Sequence, residues 1–192
     1  SWAGIKIEVN NTTLFVDATV GEKEAPLSYN TEYKYALITH AHGDHFDSVA
    51  LKNILDKRSL LICHKDVTSW IDTRDFRIHA LNLYEPIILA RANSDIVAIP
   101  VPAVDGFGLT QVSWVIDGGG KRIIHCGDTA WHGYWWDISR VYGPFDMAFL
   151  PINGARQING RITDTGVPAV LTPAQALAAA KVLRVNTVCP IH

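Results

Sequence analysis

Four potential metal ligands occupy six consecutive positions, His40-Ala41-His42-Gly43-Asp44-His45. They stand directly behind the apolar run Tyr35-Ala36-Leu37-Ile38-Thr39, which reads as a buried strand ending at the cluster. A lone histidine is ordinarily a core or surface residue. This density of imidazole and carboxylate groups at one strand end points instead to a metal. Such ligands suit zinc, manganese or iron, and a hydrolytic ion needs them together with an open position for water.

Length and composition bound the rest. At 192 residues the chain is long enough to bury a sizeable core, and residues 1–192 are read as a single domain. Hydrophobic residues make up 48% and charged residues 19%, the balance of a well-buried globular protein. A formal charge of −2 without any Lys/Arg run speaks against nucleic acid as a partner. The expected partner is a small-molecule substrate, with homo-oligomer formation left open. Cys63, Cys126 and Cys189 are widely spaced, odd in number and set in apolar segments, so buried free thiols in a reducing compartment are expected. No basic region followed by an apolar run opens the sequence, and no apolar stretch approaches the roughly 18 residues of a membrane span. A cytoplasmic location is the resulting expectation.

Along the chain, Ile5–Val9 and Thr13–Asp17 read as strands joined by an Asn10-Asn11 turn. Asp47 is placed to cap a helix whose apolar stripe is Val49, Leu51, Ile54 and Leu55. Ser59–Cys63 reads as a strand and Asp66–Ile71 as a short helix. Ile87–Leu89 and Ile96–Ile99 are expected as antiparallel strands. Gln111–Asp117 and Lys121–Cys126 flank Gly118-Gly119-Gly120 in a hairpin pattern, and no helix follows, so the glycines are not a dinucleotide-binding fingerprint. Asp146–Leu150 is a buried strand, Gly154–Val170 a loop, and Thr172-Pro173 the start of an Ala- and Leu-rich helix. Val188–Ile191 closes the chain as a strand that ends at His192.

Ligand-type residues recur at the ends of these strands: the His40–His45 cluster, Asp105, Asp128 within His125-Cys126-Gly127-Asp128-Thr129, and His192. Strand ends meeting at one sheet edge can gather such residues into one pocket. The order HxHxDH, then Gly-Asp-Thr, then a terminal Pro-Ile-His resembles the metallo-β-lactamase superfamily over essentially the whole chain. Leu150-Pro151-Ile152-Asn153-Gly154, followed by the Thr-Pro-Ala-Gln helix, is most similar to its ascorbate-phosphate lactonase-like branch. That branch neighbours the N-acyl-phosphatidylethanolamine phospholipase D group.

The resemblance implies an α/β (α+β) fold, a four-layer αββα sandwich. It implies one or two divalent ions, zinc or manganese first and iron next. His40 and His42 would bind the first ion and Asp44, His45 and His192 the second, with Asp128 as a bridging carboxylate. It further implies a metal-dependent hydrolase in which a metal-activated hydroxide attacks a small ester, lactone or phosphorylated substrate. Many superfamily members close the first site with a histidine where this chain has Asp105. A carboxylate can take that place and favours a harder ion such as manganese. The other reading is a weak or empty first site.

Asp44 and His132 are the candidate catalytic side chains. His132 lies in an aromatic segment with Trp131, Tyr134, Trp135 and Trp136, which reads either as a lid over substrate or as core. Asp17 is placed to hydrogen-bond a metal-bound histidine. His64 reads as a surface or capping residue, His79 as a solvent-facing strand residue and His125 as packing beside the site. Arg156 and Arg161 are candidate anion clamps for a phosphate. Two rival readings are a phosphodiesterase of the phospholipase D-like branch and a non-catalytic metal-binding protein. A redox di-iron role is disfavoured, because the resembling di-iron proteins carry Glu where this chain has His42.

Overall fold

The computed structural model describes residues 3–19, 33–72, 74–89, 96–156, 164 and 166–192. Five strands form the first sheet in the order β1-β2-β3-β4-β5: β1 Ile5–Val9, β2 Thr12–Val16, β3 Tyr33–Ile38, β4 Leu60–His64 and β5 Ile78–Leu81. Six strands form the second in the order β11-β10-β9-β8-β7-β6: β6 Ile87–Leu89, β7 Ile96–Pro102, β8 Val112–Gly118, β9 Lys121–His125, β10 Phe145–Pro151 and β11 Val185–Ile191. The helices are α1 Ser48–Ile54, α2 Trp135–Tyr142 and α3 Pro173–Leu183, with a 3-10 turn at Lys65–Trp70. No helix among the described residues is long and apolar enough to cross a membrane.

Alternation along the strands explains the layering. Leu14, Val16, Leu37 and Ile62 point from the first sheet into a core shared with Ile96, Ala98, Val112, Trp114 and Ile116 of the second. Their neighbours Phe15, Ala36, Ile38, Leu61 and Cys63 face the other way and meet Leu51 and Ile54 of α1. On the far side of the second sheet, Val115, Ile124, Ala148 and Leu150 pack against Trp135 and Ile138 of α2 and Ala176, Ala179 and Leu183 of α3. The result is helix, sheet, sheet, helix. It agrees with the four-layer sandwich, and both central strand sets read as near-continuous apolar runs because both of their faces are covered.

Local signals act as expected in several places. Asp47 Oδ1 accepts from the Val49 and Ala50 N–H groups and starts α1. Thr172 and Gln175 form a capping box around Pro173. Gly119 and Gly120 both have positive φ, +61° and +73°, so a two-residue turn joins antiparallel β8 and β9 without splaying them. One expectation is corrected, and two other placements are decided by packing. Val49 is 67% exposed, and Ala50 takes its place on the buried face of α1, because seven residues turn only one short side inward. β6 and β7 pair antiparallel as expected, and β5 pairs parallel with β4. The aromatic segment is split: Trp135 opens α2 and is fully buried, while Trp131, Tyr134 and Trp136 are exposed.

Candidate metal centre

The edge where β2, β3, β7, β9 and β11 end carries Asp17, His40–His45, Asp105, Asp128 and His192 in turn. Asp44, His45, Asp128 and His192 each bring one ligand atom to within 4.8 Å of all the others. His45 Nε2 is 3.0 Å from His192 Nε2 and 3.1 Å from Asp128 Oδ1, and His192 Nε2 is 2.8 Å from that same oxygen. Asp44 Oδ2 lies 3.9 Å from His45 Nε2. Asp128 Oδ1 is buried, yet no donor points at it with hydrogen-bond geometry. Three ligand atoms crowded at these spacings resemble the edges of a coordination polyhedron. Four ligands at about 2.0–2.1 Å from one ion stand about 3.3 Å apart. The donor set therefore fits a divalent cation.

His40, His42 and Asp105 form a second group within the same 4.8 Å limit. His40 Nε2 and His42 Nδ1 are 2.9 Å apart, and Asp105 Oδ2 is 4.0 Å from His42 Nδ1. Asp105 is held rigidly, because Oδ1 accepts from Phe107 N–H at 2.7 Å and Oδ2 from Leu109 N–H at 3.1 Å. The carboxylate is thereby fixed beside the two imidazoles.

A buried carboxylate behind the cluster serves both groups. Asp17 adopts a left-handed φ of +47° directly after β2 and is wholly buried. Its Oδ1 accepts from Thr39 N–H at 2.8 Å, and its Oδ2 from Thr39 Oγ1–H at 2.6 Å and His45 Nδ1–H at 2.8 Å. Thr39 Oγ1, having donated its proton, accepts from His40 Nδ1 at 2.9 Å. Both imidazoles are thereby held with a proton on Nδ1, which turns Nε2 towards the ligand cluster. Gly127 makes room for this. Its φ is +55°, and a Cβ there would stand 2.8 Å from Thr39 Oγ1. Thr129 links the two groups by accepting Val104 N–H on Oγ1 at 3.1 Å, one residue before Asp105.

Electrostatics follow from burial and pairing. Burial, reinforced by the His45 charge, lowers His40 to about 3, so it is neutral and able to ligate. Burial alone would also lower His45, but Asp17 and Asp128 on its two ring nitrogens outweigh it and raise the imidazole to about 10. Burial works to raise Asp128 too, yet the His192 and His45 rings beside it hold the carboxyl below the usual range. This pairing favours the protonated His45 imidazole, and a cation binding through Nε2 would compete with that proton.

The remaining sequence candidates separate. His132 is buried, stacked on Trp135 at 4.1 Å, with Nδ1 accepting Tyr134 N–H and Nε2 unpartnered; burial lowers it to about 4. His64 caps the 3-10 turn through Asp66 N–H, His79 faces solvent, and His125 donates from Nε2 to the Ala3 carbonyl. Arg156 pairs with Asp164 at 3.5 Å, and Arg161 lies outside the described residues. Cys63 and Cys126 are buried free thiols, and Cys189 is free and half-buried. Sequence reasoning missed Gln111. It stands at this edge because β8 runs antiparallel and begins there, so a search of strand ends does not find it.

Comparison with known proteins agrees with this architecture. The family model described as the Beta-lactamase superfamily domain matches residues 12–192. A metal-dependent hydrolase of Thermus thermophilus is 31% identical over 188 residues, covering 90% of this chain and 67% of the relative. One from Thermococcus kodakarensis is 25% identical over 175 residues, covering 88% and 71%. A metallo hydrolase structure from Ignicoccus hospitalis aligns with TM-score 0.71 and 22% identity, over 99% of this chain and 78% of that one. A diiron β-hydroxylase from Streptomyces venezuelae aligns with TM-score 0.73 and 18% identity, over 98% and 43%. These structural likenesses show the fold alone, which carries more than one chemistry. With the family match spanning nearly the whole sequence, the chain belongs to the metallo-β-lactamase superfamily, among its metal-dependent hydrolases.

Proposed function

We propose that the chain hydrolyses a small ester, lactone or phosphorylated substrate, using one or two divalent ions held at this sheet edge. The observation that carries the reading is the pair of ligand groups, His40/His42/Asp105 and Asp44/His45/Asp128/His192, brought together from four strand ends. A bound divalent ion supplies a Lewis acid and lowers the pKa of water from about 15.7 towards 7. His40, His42 and Asp105 are assigned to one ion and Asp44, His45 and His192 to the other, with Asp128 shared. Two imidazoles and a carboxylate suit zinc, manganese or iron, and the Asp105 carboxylate shifts the preference towards the harder ions.

Asp44 has a half-exposed side chain, which leaves a carboxylate open to substrate and solvent as a proton acceptor. His132 is neutral at pH 7 and keeps its proton on Nε2, so its proposed role is hydrogen-bond donation to substrate. Metal analysis of the purified protein by mass spectrometry, followed by hydrolysis of a generic lactone and a phosphodiester, tests the reading. Asp44→Ala and Asp128→Ala should abolish turnover while the fold survives. Protein that binds none of zinc, manganese or iron would sink it, and unchanged turnover in Asp44→Ala would sink the assigned mechanism.

A further inference from the structure

Gln111 precedes β8 and is 6% exposed. Its Oε1 accepts the Asp128 backbone N–H at 3.2 Å, and because that partner is a donor the amide orientation is settled. The other half of the amide, Nε2, is buried with no hydrogen-bond partner. Amide geometry holds Nε2 within about 2.3 Å of Oε1, so it stays beside the Asp128 loop. The next residue fixes the other side: Val112 N–H donates to the Thr39 carbonyl at 3.1 Å, immediately before His40. Gln111 thus lies at the junction of the two ligand groups.

A buried amide that makes one neutral hydrogen bond and leaves two N–H donors unmade loses more than it gains, so packing alone does not account for a glutamine here. The surroundings supply the missing half of the explanation. Ligand side chains at this edge are imidazoles and carboxylates, and Gln111 Nε2 is an uncharged donor held, through its own Oε1, beside the Asp128 backbone. Acyl and phosphoryl transfer both build negative charge on an oxygen at the reacting centre, and a donor preplaced in a dry site stabilises it. We propose that Gln111 Nε2–H donates to the carbonyl or phosphoryl oxygen of the substrate, while Oε1 steadies the Asp128 loop. The inference rests on the hydrolase reading and adds a substrate-contacting residue to it.

Two variants separate the donor from the loop contact. Gln111→Glu keeps an oxygen for Asp128 N–H and removes the donors; Gln111→Met removes both without adding charge. Metal content and melting temperature are measured first, then kcat and KM on p-nitrophenyl acetate and bis(p-nitrophenyl) phosphate. The expected result is full metal content in both variants, with kcat down about 100-fold and KM within about threefold. Wild-type kcat in Gln111→Glu overturns the inference and leaves the hydrolase reading intact. Inorganic phosphate binding to the metal-loaded protein, followed by calorimetry, decides independently of turnover. Affinity about tenfold weaker in Gln111→Met supports the donor role. Equal affinity, or no phosphate binding by the wild type, overturns it.

Discussion

Replacing Asp17 by Asn tests the wiring behind the proposed metal centre without touching a proposed ligand. Asn is nearly isosteric and tolerates the left-handed φ of +47°, so the backbone is not perturbed. One oxygen still accepts Thr39 N–H. The new NH2 then replaces Oδ2, 2.8 Å from His45 Nδ1 and 2.6 Å from Thr39 Oγ1. At His45 two N–H groups now face each other, unless the ring moves its proton to Nε2 and ceases to be a ligand. At Thr39 the hydroxyl must accept from the amide and turn its own proton towards His40 Nδ1, which pushes the His40 proton onto Nε2 as well. A charge-assisted hydrogen bond of about 1.5–3 kcal/mol is lost at His45, and losing the carboxylate behind a ligating His typically weakens binding 10- to 100-fold. Competition titrations with a fluorescent chelator, for zinc and for manganese, should show that loss in Asp17→Asn with an unchanged circular dichroism spectrum. Asp17→Ala should lose as much affinity and about 1–2 kcal/mol of stability besides, from the left-handed backbone. Affinity within twofold of wild type in Asp17→Asn would refute this account of the tautomers.

Three further outcomes are expected. Burial lowers the folded pKa of His132 to about 4, below the unfolded value, so its contribution to stability is complete above pH 6.5 and is lost as pH falls towards 4. Urea titrations at pH 7 and pH 5 should show wild type losing about 2 kcal/mol more than His132→Phe, and parallel losses would contradict the burial argument. Burial pushes the Cys63 and Cys126 thiols up to about 12. Ellman's reagent at pH 8 should therefore label at most Cys189 in the folded protein and all three thiols in urea; rapid labelling of Cys126 in the folded state would count against the core packing. Gly127→Ala meets both a φ of +55° and a 2.8 Å contact with Thr39 Oγ1, a combined cost of about 2–4 kcal/mol. Calorimetry should register a fall in Tm of roughly 5–15 °C, and a Tm within about 2 °C of wild type would show that the loop relaxes freely.

Much of this protein is legible in local chemistry. The alternation at Ile5–Val9, the Asn10-Asn11 turn, the Asp47 cap and the Thr172-Pro173 start each depend on residues within a few positions of one another, and each forms as expected. The aromatic segment was harder, because burial of Trp135 and exposure of Trp136 depend on which side of α2 meets the second sheet. Val49 turns to solvent, and Ala50 inward, for the same reason. In both cases hydrophobicity was plain in the sequence, and the direction of the core was not.

The sequence by itself determined the kind of chemistry: imidazoles and carboxylates at strand ends, in an order that marks the superfamily, and the strands that carry them. Only the tertiary structure decided how they act together. Trp114 Nε1–H donates to the Ile38 carbonyl across the two sheets at 3.0 Å, and packing of this kind sets β3 against β8. It sets Asp17 28 residues away in sequence against His45, and His192 147 residues away against the same ring. It also brings Asp105 beside His40 and His42 and buries Asp128 Oδ1 against the His45 and His192 rings. Ligand type is a property of one residue, whereas a shared centre is a set of distances, and those come from sheets that pack only when the whole chain has folded.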